Sequence, residues 1–441
     1  MLKNKIYKSK ANAFPLTALC VGCAISFSPN LLATDLIRLS ADPQARGSGD
    51  ITGFSDSPLS AISANPAILG RLEDRVDLAL NAVYVDARFT TKLGSTVEAD
   101  NGPGIVPEFA IKRSIADSNW SWGAGLVVQS AMEADFYYID PPGTAGVSYG
   151  PQTHRSSYSV IKGSGALSYE VNDKLTVGFS LGVVQNRNQL EAPYIFQSHP
   201  VLAGLKVLVD LDVDDIAFNG GVGLEYQMSE SVRFSLAYSA ESDFNAEGDA
   251  SGNLGQLGMG IQESFSYQAR VDTGLPATLS AGVLWQATDR LTVGAQFDRV
   301  GWADTFDSLP ITLTQGNNND LNTFLGSTSI VDVAPLDWED QDTVHLGIEY
   351  LMPAGRVLRL GVDGSHVPVP TSTMTPLTGA ILERGFSAGT TFSVNDTTVD
   401  VYYRYSGGDD VSIIDSQLRG DEYDNTNLSL KIHSFGVSVS F

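Results

Sequence analysis

The sequence predicts an all-β chain that closes into a transmembrane antiparallel barrel of about fourteen strands, and three observations carry that expectation. Period-2 alternation of apolar with small or polar residues recurs through most of the 441 residues. The connections between the alternating segments are short and long by turns. The chain also ends on Phe441, at the close of one more alternating segment.

The first element is an export signal. Lys3, Lys5, Lys8 and Lys10 precede a mostly apolar run from Phe14 to Phe27, and Leu31-Leu32-Ala33 supplies a small-residue cleavage site, so residues 1–33 are expected to be removed. The run is too short to persist as a spanning helix. Both cysteines, Cys20 and Cys23, lie inside it, which leaves the mature chain without a thiol. A rival reading makes Val21-Gly22-Cys23 a lipid-attachment site, but it lacks the usual leucine. Residues 1–33 hold four lysines and no acid, so their loss takes the formal charge from −24 to −28. Such acidity excludes nucleic acid as a partner, and 43% hydrophobic residues argue against disorder. No later apolar stretch reaches helix-spanning length, so membrane insertion requires a closed barrel. An exported barrel belongs in the outer membrane of a Gram-negative cell.

The strands follow. Leu175, Val177, Phe179, Leu181 and Val183 alternate with Thr176, Gly178, Ser180 and Gly182. Equivalent runs are Val232–Tyr238, Leu291–Phe297 and Val344–Tyr350, with similar segments at 76–84, 161–171, 277–285, 357–363 and 399–405. Short turns fall near 172–174, 228–231, 287–290, 352–355 and 394–397. Long gaps fall at about 91–104, 136–154, 192–213, 247–262, 306–338, 366–381 and 406–426. Short turns at one end and long loops at the other are the habit of outer-membrane barrels and have no rationale in a two-sheet sandwich. In the last segment Phe435, Val437, Val439 and Phe441 alternate with Ser434, Gly436, Ser438 and Ser440. A terminal phenylalanine there resembles the signature read by the barrel-assembly machinery, an expected partner during biogenesis. The apolar sets are expected to face lipid and lipopolysaccharide, with Trp285, Tyr238, Tyr350, Tyr403 and Tyr405 at the interfaces. Lys162, Glu170, Arg233, Glu349, Arg359, Asp363, Asp400 and Arg404 then face the lumen, most of them pairing with one another and the remainder free to meet a solute.

Ahead of the first strand, residues 34–72 do not alternate and end in Ala64-Asn65-Pro66-Ala67-Ile68-Leu69-Gly70. Here the chain resembles the FadL/TodX-type outer-membrane transporters of long-chain fatty acids and other hydrophobic compounds, which carry an Asn-Pro-Ala motif in an N-terminal hatch inside a fourteen-stranded barrel. Further short matches run along the chain: Trp122-Gly123-Ala124-Gly125, the stretch Arg290 to Leu309 with Trp302 and Phe306, His366-Val367-Pro368-Val369-Pro370, and Phe386 to Phe392. The resemblance implies a signal peptide over 1–33, a hatch over 34–72 with Asn65, Pro66 and Ala67 at its heart, and a barrel over 73–441. It also implies a monomer without cofactors. Two departures stand out. Ala380-Ile381-Leu382-Glu383-Arg384 keeps only the acid–Arg pair of a family run. Gln129-Ser130-Ala131-Met132-Glu133 lacks the glycine that often marks the family's kink in the third strand, so composition does not support a kink here.

The loops bear on substrate directly. Tyr194, Ile195, Phe196, Leu202, Leu205 and Leu208 cluster in 192–213, and Leu254, Leu257 and Met259 in 247–262. Clustered apolar residues on loops suggest an interaction site, unless they pack on each other to cap the barrel. The resemblance assigns these two loops to a groove that captures the substrate, a hydrophobic small molecule, before the hatch moves and the ligand leaves sideways through the wall. Arg187 aligns with a family arginine facing the ligand's carboxylate, although counting from Val183 places it on the lipid-facing side. The alternatives are a porin for small polar solutes, which leaves the hatch and apolar loops unexplained, and a structural or adhesive barrel using the acids Asp409, Asp410, Asp415, Asp421, Glu422 and Asp424, which could also bind divalent cations. An enzyme is disfavoured: His154, His199, His345, His366 and His433 are scattered and no nucleophile motif accompanies them.

Overall fold

The computed structural model describes residues 41–441 apart from 144, 145, 259, 261 and 396. The expected signal segment, the expected hatch up to residue 40, and Met259 lie outside the described residues.

Fourteen strands form one closed antiparallel wall. They are β1 (Arg75–Thr90), β2 (Gly104–Ser114), β3 (Trp120–Asp140), β4 (Gly150–Asn172) and β5 (Leu175–Ile195). Next come β6 (Lys206–Ser229), β7 (Val232–Ser239), β8 (Thr278–Gln286), β9 (Leu291–Val300) and β10 (Gln341–Leu351). The last four are β11 (Val357–Ser365), β12 (Arg384–Val394), β13 (Thr397–Gly407) and β14 (Thr426–Ser440). The terminal alternating segment closes the ring, with β14 pairing β13 on one side and β1 on the other from Asp77↔Ser440 to Thr90↔Asn427. Ring closure pairs β1 with β14, strands that would otherwise be exposed edges in the bilayer.

Solvent polarity sets the height of the wall in lipid. On β5 the outward residues run Phe179, Leu181, Val183, then Gln185, Arg187, Gln189 and Glu191. On β6 they run Phe218 and Ile216, then Asp214, Asp212 and Asp210. The two changes coincide, because Val183 pairs with Phe218 and Arg187 with Asp214. From Phe218 to Met228 the strand rises about 33 Å, which at a tilt of about 40° spans about 25 Å, the height of an outer-membrane apolar band. Large side chains such as Leu78, Leu236, Leu346, Leu360 and Phe435 lie exposed on this outer belt, an arrangement stable only against hydrocarbon.

Much of what reads as loop is strand. Residues 192–213 form the tops of β5 and β6, paired up to Ile195↔Lys206. The 247–262 region belongs to a hairpin of Ser242–Asn253 with Ser264–Leu275, which extends β6 through Leu208↔Asn253. A second hairpin, Ser308–Thr314 with Ile330–Pro335, continues that sheet. The result is a curved wall standing above the band.

Below it the lumen is filled by residues 41–72. This segment runs through α1 (Pro43–Gly47), a 3₁₀ turn Thr52–Phe54, α2 (Pro58–Ser63) and a second 3₁₀ turn Pro66–Arg71. Each element from α2 on starts from a side-chain cap. Ser57 Oγ accepts from Leu59 N at 3.1 Å, and Asn65 Oδ1 accepts from Ala67 N at 3.0 Å. Pro58 and Pro66 fit the first helical positions, where no amide hydrogen is required. Leu59, Ile62, Ile68 and Leu69 bury themselves against Ala79, Ala110, Val127 and Ala166 of the wall.

Candidate functional site

Seven wall glycines seat the plug. A Cβ on Gly389, Gly361, Gly347, Gly294, Gly223, Gly178 or Gly123 would collide with Gly47, Gly49, Ser48, Phe54, Asn65, Pro66–Ala67 or Leu69 respectively. The segment therefore winds around the inner wall in nearly reverse strand order, from β12 to β3, with its main chain against the sheet. Charges fasten it. Arg404 pairs with Asp50 at 3.3 Å and with Asp363 at 2.8 Å, while Arg71 pairs with Glu225 at 2.8 Å and with Asp56. Of the eight lumen charges expected from sequence, Arg359 also pairs with Glu349 at 2.9 Å and lies 3.7 Å from Asp400. Arg233 donates to the Gly53 carbonyl.

Above the plug three cavities adjoin. The uppermost, about 40 Å³, lies within the curved wall and is lined by Tyr194, Phe196, Leu202, Leu205, Leu254 and Leu257 among others. The second, about 240 Å³, is bounded by Tyr158, Tyr194, Ile195, Phe306, Trp338 and Leu377. It shares Leu190, Tyr194, Leu211 and Ile311 with the first. The third, about 60 Å³, shares Met132, Leu377 and Thr378 with the second and reaches Val85 and Ala87 of β1 and Phe136 of β3. An engineered apolar cavity of about 150 Å³ suffices for benzene, so the middle cavity is of ligand size.

Two polar knots hold the walls. Asp332, 1% exposed, accepts at Oδ2 from Tyr194 OH (2.6 Å) and Gln197 N (2.8 Å). Its Oδ1 accepts from Ser198 N (2.6 Å), Ser198 Oγ (3.0 Å) and His199 N (2.9 Å). Burial pulls this carboxyl upward, but the Tyr194 hydroxyl and the three amides outweigh it and leave it below the usual aspartate range. Lys206 is the second knot, buried with Nζ 2.7 Å from Asp140, 2.6 Å from the Pro141 carbonyl and 2.5 Å from Glu422. It ties the 406–426 loop to β3 and β6. Among the described residues no three His, Cys, Asp or Glu side chains gather as a metal-binding group.

The wall has one break at band height. Pairing of β2 with β3 stops at Phe109↔Leu126, leaving Gly104–Glu108 without a partner on β3. On its other side β3 slips against β4 between Val128 and Ser130, so Gln129 is a β-bulge. Glu108 accepts from Val128 N at 3.0 Å and from Asn81 at 2.8 Å, covering one amide freed by the departure. Val106, Val128, Ala131 and Ile161 close the break as a small apolar cluster. The kink that composition left possible but unsupported is thus a bulge at Gln129: a bulge needs an extra residue, and glycine only when that residue is left-handed.

The residues named from sequence divide clearly. Tyr194, Phe196, Leu202, Leu205, Leu254 and Leu257 meet at the upper cavity, and Ile195 joins Tyr194 at the middle one. Leu208 lines neither cavity; alternation puts Val207, Val209 and Leu211 on the inner face instead. Arg187 also lines none of the three. It stands half exposed on the outer face, paired with Asp212 at 2.6 Å, because its parity points away from the lumen. Sequence reasoning missed Asp332 and Trp338, which stand in the stretch read as loop at 306–338, and Tyr158, which lies just before the segment read as strand at 161–171.

The comparisons with known proteins agree with this architecture. The family model described as outer membrane protein transport protein (OMPP1/FadL/TodX) matches residues 41–441. A solved Pseudomonas aeruginosa FadL homologue is similar with a TM-score of 0.72 at 18% identity, over 92% of this chain and 99% of that one. The Pseudomonas putida toluene transporter TodX gives 0.72 at 19%, over 92% and 99%. The Ralstonia pickettii toluene transporter TbuX gives 0.66 at 18%, over 91% and 98%. At these identities the likeness concerns fold. No curated protein sequence matches the chain.

Proposed function

Because the chain belongs to the OMPP1/FadL/TodX family of outer-membrane transport proteins, we propose that it carries long-chain fatty acids or similar hydrophobic compounds passively from the cell surface into the outer membrane. It is an outer-membrane β-barrel for hydrophobic compounds and not an enzyme. The observation that carries the finer reading is the sequence of adjoining apolar cavities leading from the raised wall to Val85 of β1 and Met132 of β3, next in sequence to Ala131 of the cluster at the break. A ligand gains about 0.8 kcal/mol for each methylene taken from water, so capture needs no energy source. Residues 41–72 act as the hatch that keeps polar solutes out of the lumen, with Asn65 and Pro66 fixing the turn that lies against β5 and β6. The ligand then parts Val106 from Val128 and Ala131 and enters the bilayer sideways. Two of the similar structures are toluene transporters, which keeps aromatic hydrocarbons within the proposed class.

The test is uptake of labelled oleate, toluene and a sugar by cells lacking their own fatty-acid transporter. The protein is expected to admit oleate or toluene and no sugar. Met132→Trp, which fills the wall shared by two cavities, is expected to abolish that gain. Sugar entry without hydrophobic uptake would overturn the reading in favour of a porin.

A further inference from the structure

Among the described residues three lysines are almost wholly buried: Lys112, Lys162 and Lys206, at 1%, 2% and 1% exposure. Two of them hold carboxylates. Lys112 lies 3.1 Å from Asp74, and Lys206 is clasped by Asp140 and Glu422. Lys162 is different. Among the described residues it makes no ion pair and no hydrogen bond, and a buried ammonium without a counter-charge is expensive to keep.

Its place in the wall is informative. Lys162 faces the lumen on β4, about 13 Å below Tyr158 along the strand. Tyr158 lines the middle cavity. Below Lys162, Ala166 packs on the hatch core. On β3 the residue opposite Lys162 is Val127, so the ammonium lies beside the Gln129 bulge and one strand from the break with β2. Buried polar side chains share this level: Gln129, Ser130, Ser164 and Asn186. Among the described residues, a polar belt that carries Lys162 thus lies between an apolar cavity above and an apolar plug below.

Resting on the transport reading, we propose that Lys162 docks the anionic head group of an amphipathic acid, whose alkyl tail lies in the middle cavity above it. This selects carboxylic acids over neutral molecules of the same length and sets the head group next to the side exit. The ammonium donates to the carboxylate as Lys206 does to Asp140. Arg187 points to the outer face of the wall, where it pairs with Asp212, and takes no part.

The experiment measures binding of dodecanoate and of dodecanol at pH 8 to the full chain in lipid nanodiscs. The native protein is expected to prefer the acid at least tenfold. Lys162→Met is expected to lose that preference through weaker acid binding, with dodecanol affinity unchanged, which also reports that the variant is folded. Lys162→Arg is expected to restore it. An acid-to-alcohol ratio that survives Lys162→Met overturns the proposal, as does a native protein that binds both probes equally well while still transporting hydrocarbon. Binding of neither probe overturns the proposal together with the transport reading beneath it.

Discussion

Replacing Asp332 by asparagine tests how the upper cavity is held shut. In the native chain its two carboxylate oxygens receive five hydrogen bonds, three at Oδ1 and two at Oδ2. Asparagine keeps one acceptor and turns a donor toward the other group, so at least two bonds are lost. Bonds to a charged acceptor contribute about 1.5–3 kcal/mol each. The loop tip is partly exposed and water replaces some of that, which leaves about 2–4 kcal/mol for the local opening of 196–205. An opening easier by that amount is populated about 30- to 1,000-fold more. Hydrogen exchange should report it, with protection at the Gln197, Ser198 and His199 amides falling at least tenfold while amides in β5 and β6 keep theirs. The pH dependence has a fixed sign. A carboxylate lowered in the fold stabilises above the ordinary aspartate range, and that stabilisation is lost as pH falls through the lowered value. The native loop should therefore hold from neutral pH down past the ordinary range and open only in stronger acid, and Asp332→Asn should lack that transition. Unchanged protection in Asp332→Asn would refute the claim that this carboxylate organises the loop.

Gly178→Val places a side chain against the main chain of Pro66 and Ala67; overpacking of about 1–3 kcal/mol should unseat this part of the plug. Single-channel conductance in planar bilayers should rise, whereas Gly165→Ala, with open space at its Cβ, should leave the channel closed. Lys206→Met strands Asp140 and Glu422 in a buried site, a loss of about 3–5 kcal/mol for such a pair, so proteolysis within 406–426 should accelerate while the heat-resistant barrel band on gels persists.

Polarity decides how much of this was legible in the sequence. Within the band the outward residue of each pair is apolar, so strands such as Leu175–Val183 announce themselves. Above the band the outer medium is water, and the alternation inverts: on β6 Val207, Val209, Leu211 and Val213 face inward while Asp210, Asp212 and Asp214 face out. A reading that took apolar-outward alternation as the mark of a strand ended each one at that crossing and called the remainder loop. Most of the apolar residues named there gather at the cavities, but Leu208 was assigned without regard to parity, and parity alone already spoke against Arg187. The seven seating glycines recur singly on lumen-facing positions. Alternation treats glycine merely as a small residue, so nothing local distinguishes a seat from filler until the plug's path is known. Asp332 acts across 133 residues of chain to His199 and 138 to Tyr194, and no periodicity reports such contacts.

The two barriers around the ligand can be compared from their linings. Withdrawing the plug exposes Ile51, Phe54, Leu59, Ile62, Ile68 and Leu69, and full burial stabilises such side chains by about 1.5–3 kcal/mol each. The sum exceeds about 9 kcal/mol before the ion pairs of Arg404 and Arg71 are counted. Opening the break separates Val106 from Val128 and Ala131, small groups whose burial is worth only a few kcal/mol. It exposes them to lipid and ligand, which removes most of even that cost. The smaller barrier therefore lies sideways. On the proposed lateral route a ligand leaving the middle cavity would exchange one apolar environment for another, so release into the bilayer would require the plug to yield only locally rather than to leave the lumen.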